Sequence, residues 1–170
     1  KVSLQSFDCQ YTPLSMAKST CTFTLNGDII GSVSLFQAKE DSTTTIEGTL
    51  TKLKPGRHGF HIHAYGDIDG DLSGVGPIFN PFGKNHGAPD DEERMVGDLG
   101  NIEVNENGEA KIVIDDHLVK LIGPHSVIGR SIVIKENEDD LGRGGNENSL
   151  NMGNSGAKIS GGVIGISATK

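Results

Sequence analysis

Short runs of β-branched and apolar residues recur along this chain, separated by polar or glycine-containing punctuation. Eight such runs occur, at residues 21–25, 32–35, 43–50, 58–63, 101–104, 110–114, 131–134 and 162–166. Turn signals such as Asn26-Gly27-Asp28 and Asn107-Gly108 bound many of them, and patterns with the period of a helix are scarce. Runs of this length with such punctuation are typical of strands and hairpins. The pattern predicts an all-β fold, either an antiparallel sandwich or a barrel.

Two long segments, residues 64–96 and 136–161, interrupt this rhythm. Both are rich in glycine, asparagine and acidic residues, and neither has a period of its own. Connections of this length inside a compact domain are usually functional or disordered. We therefore expect specific interactions to hold them against the rest of the chain.

The composition narrows the class of protein. At 170 residues the chain has the size of one domain. Its formal charge of −8 disfavours nucleic-acid binding, which needs a basic footprint. No run approaches the ~20 apolar residues of a membrane span, and the first residues lack the apolar stretch of a signal peptide. These features suit a cytosolic protein or the mature form of a secreted one.

The chain has two cysteines, Cys9 and Cys21. They could close a short loop by a disulfide, as in an oxidising compartment, although two thiols in a cytosolic protein would give the same pattern. We expect the bridge, which would tether the N-terminal residues to the first strand.

The clearest candidate for chemistry is the His61-Ile62-His63 sequence in a predicted strand. Residues at i and i+2 share a strand face, so both imidazoles can point at one ion. Imidazole suits copper and zinc, but two histidines alone make an incomplete site.

A second candidate is the acidic stretch that contains Asp67, Asp69 and Asp71 around Gly70. Alternating carboxylates near a glycine are similar to the opening of a calcium loop. The match is partial, because the glycine comes one place early and Ile78 stands where the bidentate glutamate is expected. The alternative is an acidic surface turn.

Five motifs resemble the metal-binding segments of the copper/zinc superoxide dismutases. They are HGFHIH at 58–63, GPIFNP at 76–81, HGAP at 86–89, ERMVGD at 93–98 and SIVIK at 131–135. The resemblance runs from about residue 19 to the end, so residues 1–18 look like an added N-terminal arm. It implies an eight-stranded antiparallel Greek-key β-barrel with the two long segments folded as loops over one side.

The resemblance also implies roles for individual residues. The first two copper ligands fall on His61 and His63, and the zinc ligands fall on Ile78, His86, Met95 and Asp98. Asp139 takes the position of an acid that orients the metal-binding histidines. The family's cystine falls on Leu72 and Gly161. Its homodimer patch falls on residues 161–166, so we expect a homo-oligomer through the C-terminal strand.

Several of these positions carry side chains unsuited to the implied role. Ile78 has no lone pair, and the thioether of Met95 is a poor ligand for zinc. Lys135 stands where the last copper histidine is expected; with an ordinary pKa of ~10.4 it should be cationic and repel a metal ion. Lys158 replaces the arginine that guides superoxide, which keeps the charge but loses the planar fork.

These replacements lead to the hypothesis of a degenerate, non-catalytic protein that binds divalent ions through the remaining donors. Zinc or copper is the expected ion, bound weakly, with calcium as a further candidate. The eroded ligands and the cysteine-containing arm are similar to the extracellular superoxide dismutase-like proteins of bivalve haemolymph. That similarity implies secretion, metal transport in haemolymph or extrapallial fluid, and a link to shell mineralisation. The alternatives are residual superoxide dismutase activity and a purely structural scaffold.

Overall fold

A computed structural model describes residues 16–168 and shows a single antiparallel sheet of eight strands. The strands are β1 (Ala17–Leu25), β2 (Asp28–Gln37), β3 (Thr44–Leu50), β4 (Gly56–His63), β5 (Asp98–Val104), β6 (Ala110–Asp116), β7 (Ser131–Lys135) and β8 (Lys158–Ile166). Their order is β5-β4-β7-β8-β1-β2-β3-β6, and the edge strands β5 and β6 lie next to each other. The predicted all-β Greek-key barrel is confirmed, and it is nearly closed.

Strand β1 shows how the polar and apolar pattern builds the barrel wall. Ser19, Cys21 and Phe23 are buried and alternate with more exposed neighbours, as a pleated strand with one face on the core requires. Asn26 and Gly27 connect β1 to β2 with φ values of 52° and 86°. Two consecutive positive φ values are those of a type I′ turn, whose twist matches the flanking strands.

Strand β4 carries the candidate histidines on the outside of the barrel. It pairs with β5 on one side and with β7 on the other. Phe60 and Ile62 belong to the hydrophobic core, so His61 and His63 point to the opposite face. That outer face is also buried, because the long connections after β4 and β7 fold over it.

Those two connections contain little regular structure. The first contains one 3-10 turn at Ser73–Val75, and the second contains a short helix, α1 (Glu147–Met152), which the sequence pattern did not predict. The side chain of Asn146 caps α1 by accepting a hydrogen bond from the amide of Ser149 at 2.9 Å. Asp140 adds a second anchor, since its carboxylate accepts from the Ser149 hydroxyl at 2.7 Å.

A buried ion pair ties the first connection to the barrel. Arg94 donates from Nη2 to Asp116 Oδ2 at 2.8 Å and from Nη1 to the carbonyl oxygen of Asp98 at 3.1 Å. Buried charges are tolerated only when they are paired and hydrogen-bonded in this way. The pair therefore fixes the start of β5, where the first connection returns to the sheet.

A leucine side chain packs at the place where the resemblance implies a disulfide between residues 72 and 161. Leu72 is buried with Val75 and Val133, and a Cβ atom built on Gly161 would lie 3.2 Å from Leu72 Cδ2. The first connection is therefore held against β8 by apolar contact. Within residues 16–168, there is no helix with the length and apolar character needed to cross a membrane.

Two predictions concern residues that are not described. Cys9 and nearly all of the predicted arm 1–18 lie outside the described residues, so the Cys9–Cys21 bridge and the arm remain predictions. Cys21 itself is fully buried in the core, and this burial raises the pKa of its thiol to about 12.

Candidate metal centre

His61 and His63 each have one ring nitrogen held by the protein and one without a partner. His61 Nε2 donates to Asp139 Oδ2 at 2.7 Å, and His63 Nδ1 donates to the carbonyl oxygen of Gly76 at 2.8 Å. The opposite nitrogens, His61 Nδ1 and His63 Nε2, are buried and have no hydrogen-bond partner among the described residues. An unpartnered buried nitrogen costs free energy unless it meets a ligand.

Both of these histidines are neutral. Burial lowers the pKa of His61, and it lowers the pKa of His63 to about 3. Since the other nitrogen of each ring carries the proton, His61 Nδ1 and His63 Nε2 each present a lone pair. Metal-binding histidines are commonly oriented in this way, by an acceptor on the second nitrogen.

Asp139 joins two histidines from different parts of the chain. Its Oδ2 accepts from His61, and its Oδ1 accepts from His86 Nε2 at 2.7 Å. Burial alone would raise the pKa of this carboxyl, but the hydrogen bonds from His61 and His86 outweigh it and lower the pKa to about 2. Asp139 is therefore ionised, and His61, His86 and Asp139 each place one ligand atom within 4.8 Å of the others.

His86 lies between two carboxylates. Its Nδ1 is 2.7 Å from Asp98 Oδ1, and its Nε2 faces Asp139. Burial disfavours the imidazolium, but the hydrogen bonds and charges of Asp139 and Asp98 outweigh burial and raise the pKa of His86 to about 9. In the metal-free protein His86 is thus a doubly protonated cation, and an ion that binds its nitrogens must displace a proton.

We predict that the metal-free protein loses stability as His86 deprotonates. The folded pKa of about 9 exceeds the unfolded value near 6.5, so the contribution is complete below about pH 6.5 and is lost as the pH rises through 9. This difference between the folded and unfolded pKa of His86 corresponds to about 3 kcal/mol of unfolding free energy. Urea unfolding in chelator, from pH 6 to 10, measures it, and proton NMR should place the His86 titration near pH 9.

The His86→Gln variant is the control for this pH dependence. It should be less stable than the parent at pH 6.5 and should lack the alkaline fall centred near pH 9. A parent protein with flat stability between pH 7 and 10 would contradict the buried imidazolium.

Both oxygens of the Asp98 carboxylate accept hydrogen bonds from residues of the first connection. Besides His86, it accepts from the amides of Gly87 at 3.0 Å and Met95 at 2.8 Å, both on Oδ2. Of the four residues predicted to bind metal, the structure thus brings His61 and His86 together through Asp139. It places Asp98 behind His86 and leaves His63 beside His61, with ring centroids 6.4 Å apart.

The three side chains that replace expected histidines all line one cavity beside His61 and His63. Ile78 and Met95 are buried there among apolar neighbours. Lys135 is only 3% exposed. Burial, then the charge of Lys158, lowers the pKa of Lys135 to about 8 against the opposing charge of Asp139.

The predicted calcium loop forms part of the exposed surface. Asp67, Asp69 and Asp71 are all exposed, and Asp71 Oδ1 accepts from the amide of Ser73 at 3.0 Å. Among residues 16–168, the group that brings three histidine or carboxylate ligand atoms together is the one around Asp139, and it contains none of these aspartates.

One cavity-lining residue and one structural ion pair were missed by sequence reasoning. Arg130 lines the same cavity and stacks over the ring of Phe79 at 3.6 Å, which no motif signalled. The buried Arg94–Asp116 pair was also not predicted, although Arg94 belongs to the ERMVGD motif.

The sequence of this chain is similar to those of known proteins. The family model described as copper/zinc superoxide dismutase (SODC) matches residues 29–164. The Cu-Zn superoxide dismutase of Candida glabrata is 50% identical over 152 residues, which cover 89% of this chain and 99% of that protein. The Cu-Zn superoxide dismutase of Cordyceps militaris is 47% identical over 152 residues, with the same coverage.

These similarities overturn the hypothesis of a degenerate, non-catalytic haemolymph protein. The relatives carry enzyme names, come from fungi, and match over almost their whole length. The hypothesis weighed the donor types at Ile78, Met95 and Lys135. It gave too little weight to His61 and His63. Both rings are oriented by hydrogen bonds, and His61 Nδ1 and His63 Nε2 remain without a partner among the described residues.

Proposed function

Because the chain belongs to the copper/zinc superoxide dismutase family, we propose that it dismutates superoxide at a copper ion held by His61 and His63. The observation that carries the proposal is the pair of unpartnered buried nitrogens, His61 Nδ1 and His63 Nε2. Neutral imidazole nitrogens are ligands that copper accepts. When bound, copper would supply the one-electron reduction and oxidation that dismutation needs.

The protein around these nitrogens contributes orientation. Asp139 and the carbonyl oxygen of Gly76 each hold one imidazole by its protonated nitrogen. The rings are therefore set before an ion arrives, and binding does not have to order them. Asp139 also stabilises the Nε2–H tautomer of His61, which leaves Nδ1 free for the ion.

Positive charge in the cavity would attract the substrate. Lys135, Lys158 and Arg130 line it, and none of its lining residues is acidic. In a chain of net charge −8, such a concentration of cations raises the local concentration of an anion such as superoxide. The same charges oppose a bound cation, so we expect activity below that of the relatives.

A second ion, zinc, is proposed at His86 and Asp98. It would have to compete with the proton on His86, so zinc binding is expected to be weak at neutral pH. Binding of calcium at Asp67, Asp69 and Asp71 remains a prediction.

Two further predictions about the whole protein also remain open. Self-association through β8 remains a prediction; Ile166, at the end of that strand, is 79% exposed and would offer apolar surface to a partner. An extracellular location was implied by the similarity to the haemolymph proteins and remains a prediction, with which the cysteine pair is compatible.

The test is copper loading followed by a dismutation assay. Protein stripped with chelator, given one equivalent of copper and desalted should retain about one copper per chain by elemental analysis. It should then consume superoxide faster than the stripped protein, and more slowly than the Candida glabrata enzyme assayed beside it. Copper retention without any gain in superoxide consumption would refute the catalytic proposal.

A further inference from the structure

The cavity beside His61 and His63 is much larger than a diatomic anion requires. Its volume is about 580 Å³, within the range of pockets that hold small organic molecules. It lies between β4, the first connection and α1, and it opens to solvent on one side. Space of this size can accept a ligand with a substantial carbon skeleton.

One wall of the cavity is apolar. Ile78, Phe79, Met95 and Met152 line it, together with two prolines. Ile78 and Met95 are 6% and 8% exposed, and methionine side chains adapt readily to ligands of different shape. This wall suits a hydrocarbon chain or ring.

The cavity is also lined by three cationic side chains, Lys135, Lys158 and Arg130. Among the described residues, the amine of Lys135 forms no hydrogen bond and no ion pair within 4.0 Å, although the charge of Asp139 acts on it from farther away. Asp139, the nearest acid of the metal-centre cluster, already accepts from His61 and His86. Lys135 is 3% exposed, so its ammonium group has lost much of its contact with water, and an anion bound beside it would compensate for that loss.

Lys158 is a second cation close to Lys135, since its charge lowers the pKa of the Lys135 amine. Lys158 donates to the carbonyl oxygen of Leu72 at 3.1 Å and has donors left over. No acidic residue is among those that line the cavity, so its cations face a ligand without a competing carboxylate in the lining. An apolar wall facing a cluster of cations is complementary to an amphiphilic anion.

We propose that this cavity binds a small amphiphilic carboxylate, with its carboxylate on Lys135 and its apolar body against Ile78, Met95 and Met152. The site requires neither copper nor dismutation. Binding of such an acid would block access to His63, so it would also inhibit reactions at the histidines.

Octanoate is the probe, with acetate and 1-octanol as matched controls for the apolar body and the charge. Isothermal titration of the copper-free protein should give octanoate binding at least tenfold tighter than either control, because each control lacks one of the two contacts. Chemical shifts of the His63 ring should move with octanoate saturation. Equal affinities for octanoate and 1-octanol would overturn the assignment of Lys135.

Two variants test the two proposed contacts, one with the carboxylate and one with the apolar body of the ligand. Lys135→Met, which removes the charge and keeps the length, should weaken octanoate binding about tenfold or more. Met152→Glu, at the more exposed edge, should weaken it by repulsion without disturbing the core. Lys111→Met, on the exposed face of β6, is the control and should bind like the parent. Unchanged binding in both cavity variants, with circular dichroism showing folded protein, would refute the proposal.

Discussion

Alanine at both His61 and His63 is expected to abolish copper retention and to reduce superoxide consumption by at least a hundredfold. The two free nitrogens at this centre belong to these residues, so the double variant leaves no neutral imidazole facing the cavity. Each lost nitrogen removes a ligand that the remaining carboxylates cannot replace for copper. Elemental analysis after desalting and the dismutation assay under identical copper supply measure both effects.

The chain provides a matched control for that double variant. His117 and His125 are exposed, so alanine at both removes the same number of imidazoles from the surface. That control should keep the copper content and activity of the parent. If it lost them equally, the copper would be bound at surface histidines and the assignment to β4 would be wrong.

The double variant Ile78→His, Lys135→His is expected to gain at least tenfold in copper affinity and to gain dismutase activity. Both positions line the cavity beside His61 and His63, so each new imidazole can face the same ion. The change also removes the charge of Lys135, which opposes a divalent ion at close range. Competition with a copper chelator of known affinity measures the first effect, and the dismutation assay measures the second.

The single variant Lys135→Met separates the effect of removing the lysine charge from the effect of adding imidazole ligands. It removes the charge without adding a ligand, so its affinity should lie between those of the parent and the double variant. The parent should also bind copper more tightly as the pH rises through about 8, where Lys135 loses its proton, and the methionine variant should lack that component. A double variant no better than the parent would show that the two positions cannot reach the ion.

The strands could be predicted from the sequence because their physical signals are local. Each of the eight predicted runs coincides with a β-strand, apart from Thr43, which comes one residue before β3, and Asn26-Gly27 forms the turn that its composition indicates. The start of β1 was placed four residues late, because Ala17–Ser19 has no β-branched residue to mark it. Helix α1 was missed because its six residues are polar and its capping by Asn146 depends on the fold around it.

The candidate site could be predicted only in part. The spacing of His61 and His63 placed both imidazoles on one face, as the structure has them. The pairing of His86 with two carboxylates depends on residues far apart in the chain, Asp98 and Asp139, so no local pattern indicated its charge. Burial of Lys135 was likewise set by the covering connections, and the pKa of an exposed lysine was the wrong reference for it.

The carboxylate of Asp139 has a mechanical consequence. It belongs to the second connection, yet it holds His61 on β4 and His86 in the first connection at the same time. Neither connection can swing away from the barrel without breaking a bond to this one buried group. The two segments should therefore open together, as a single cooperative unit, whenever the wall of the barrel is exposed to solvent.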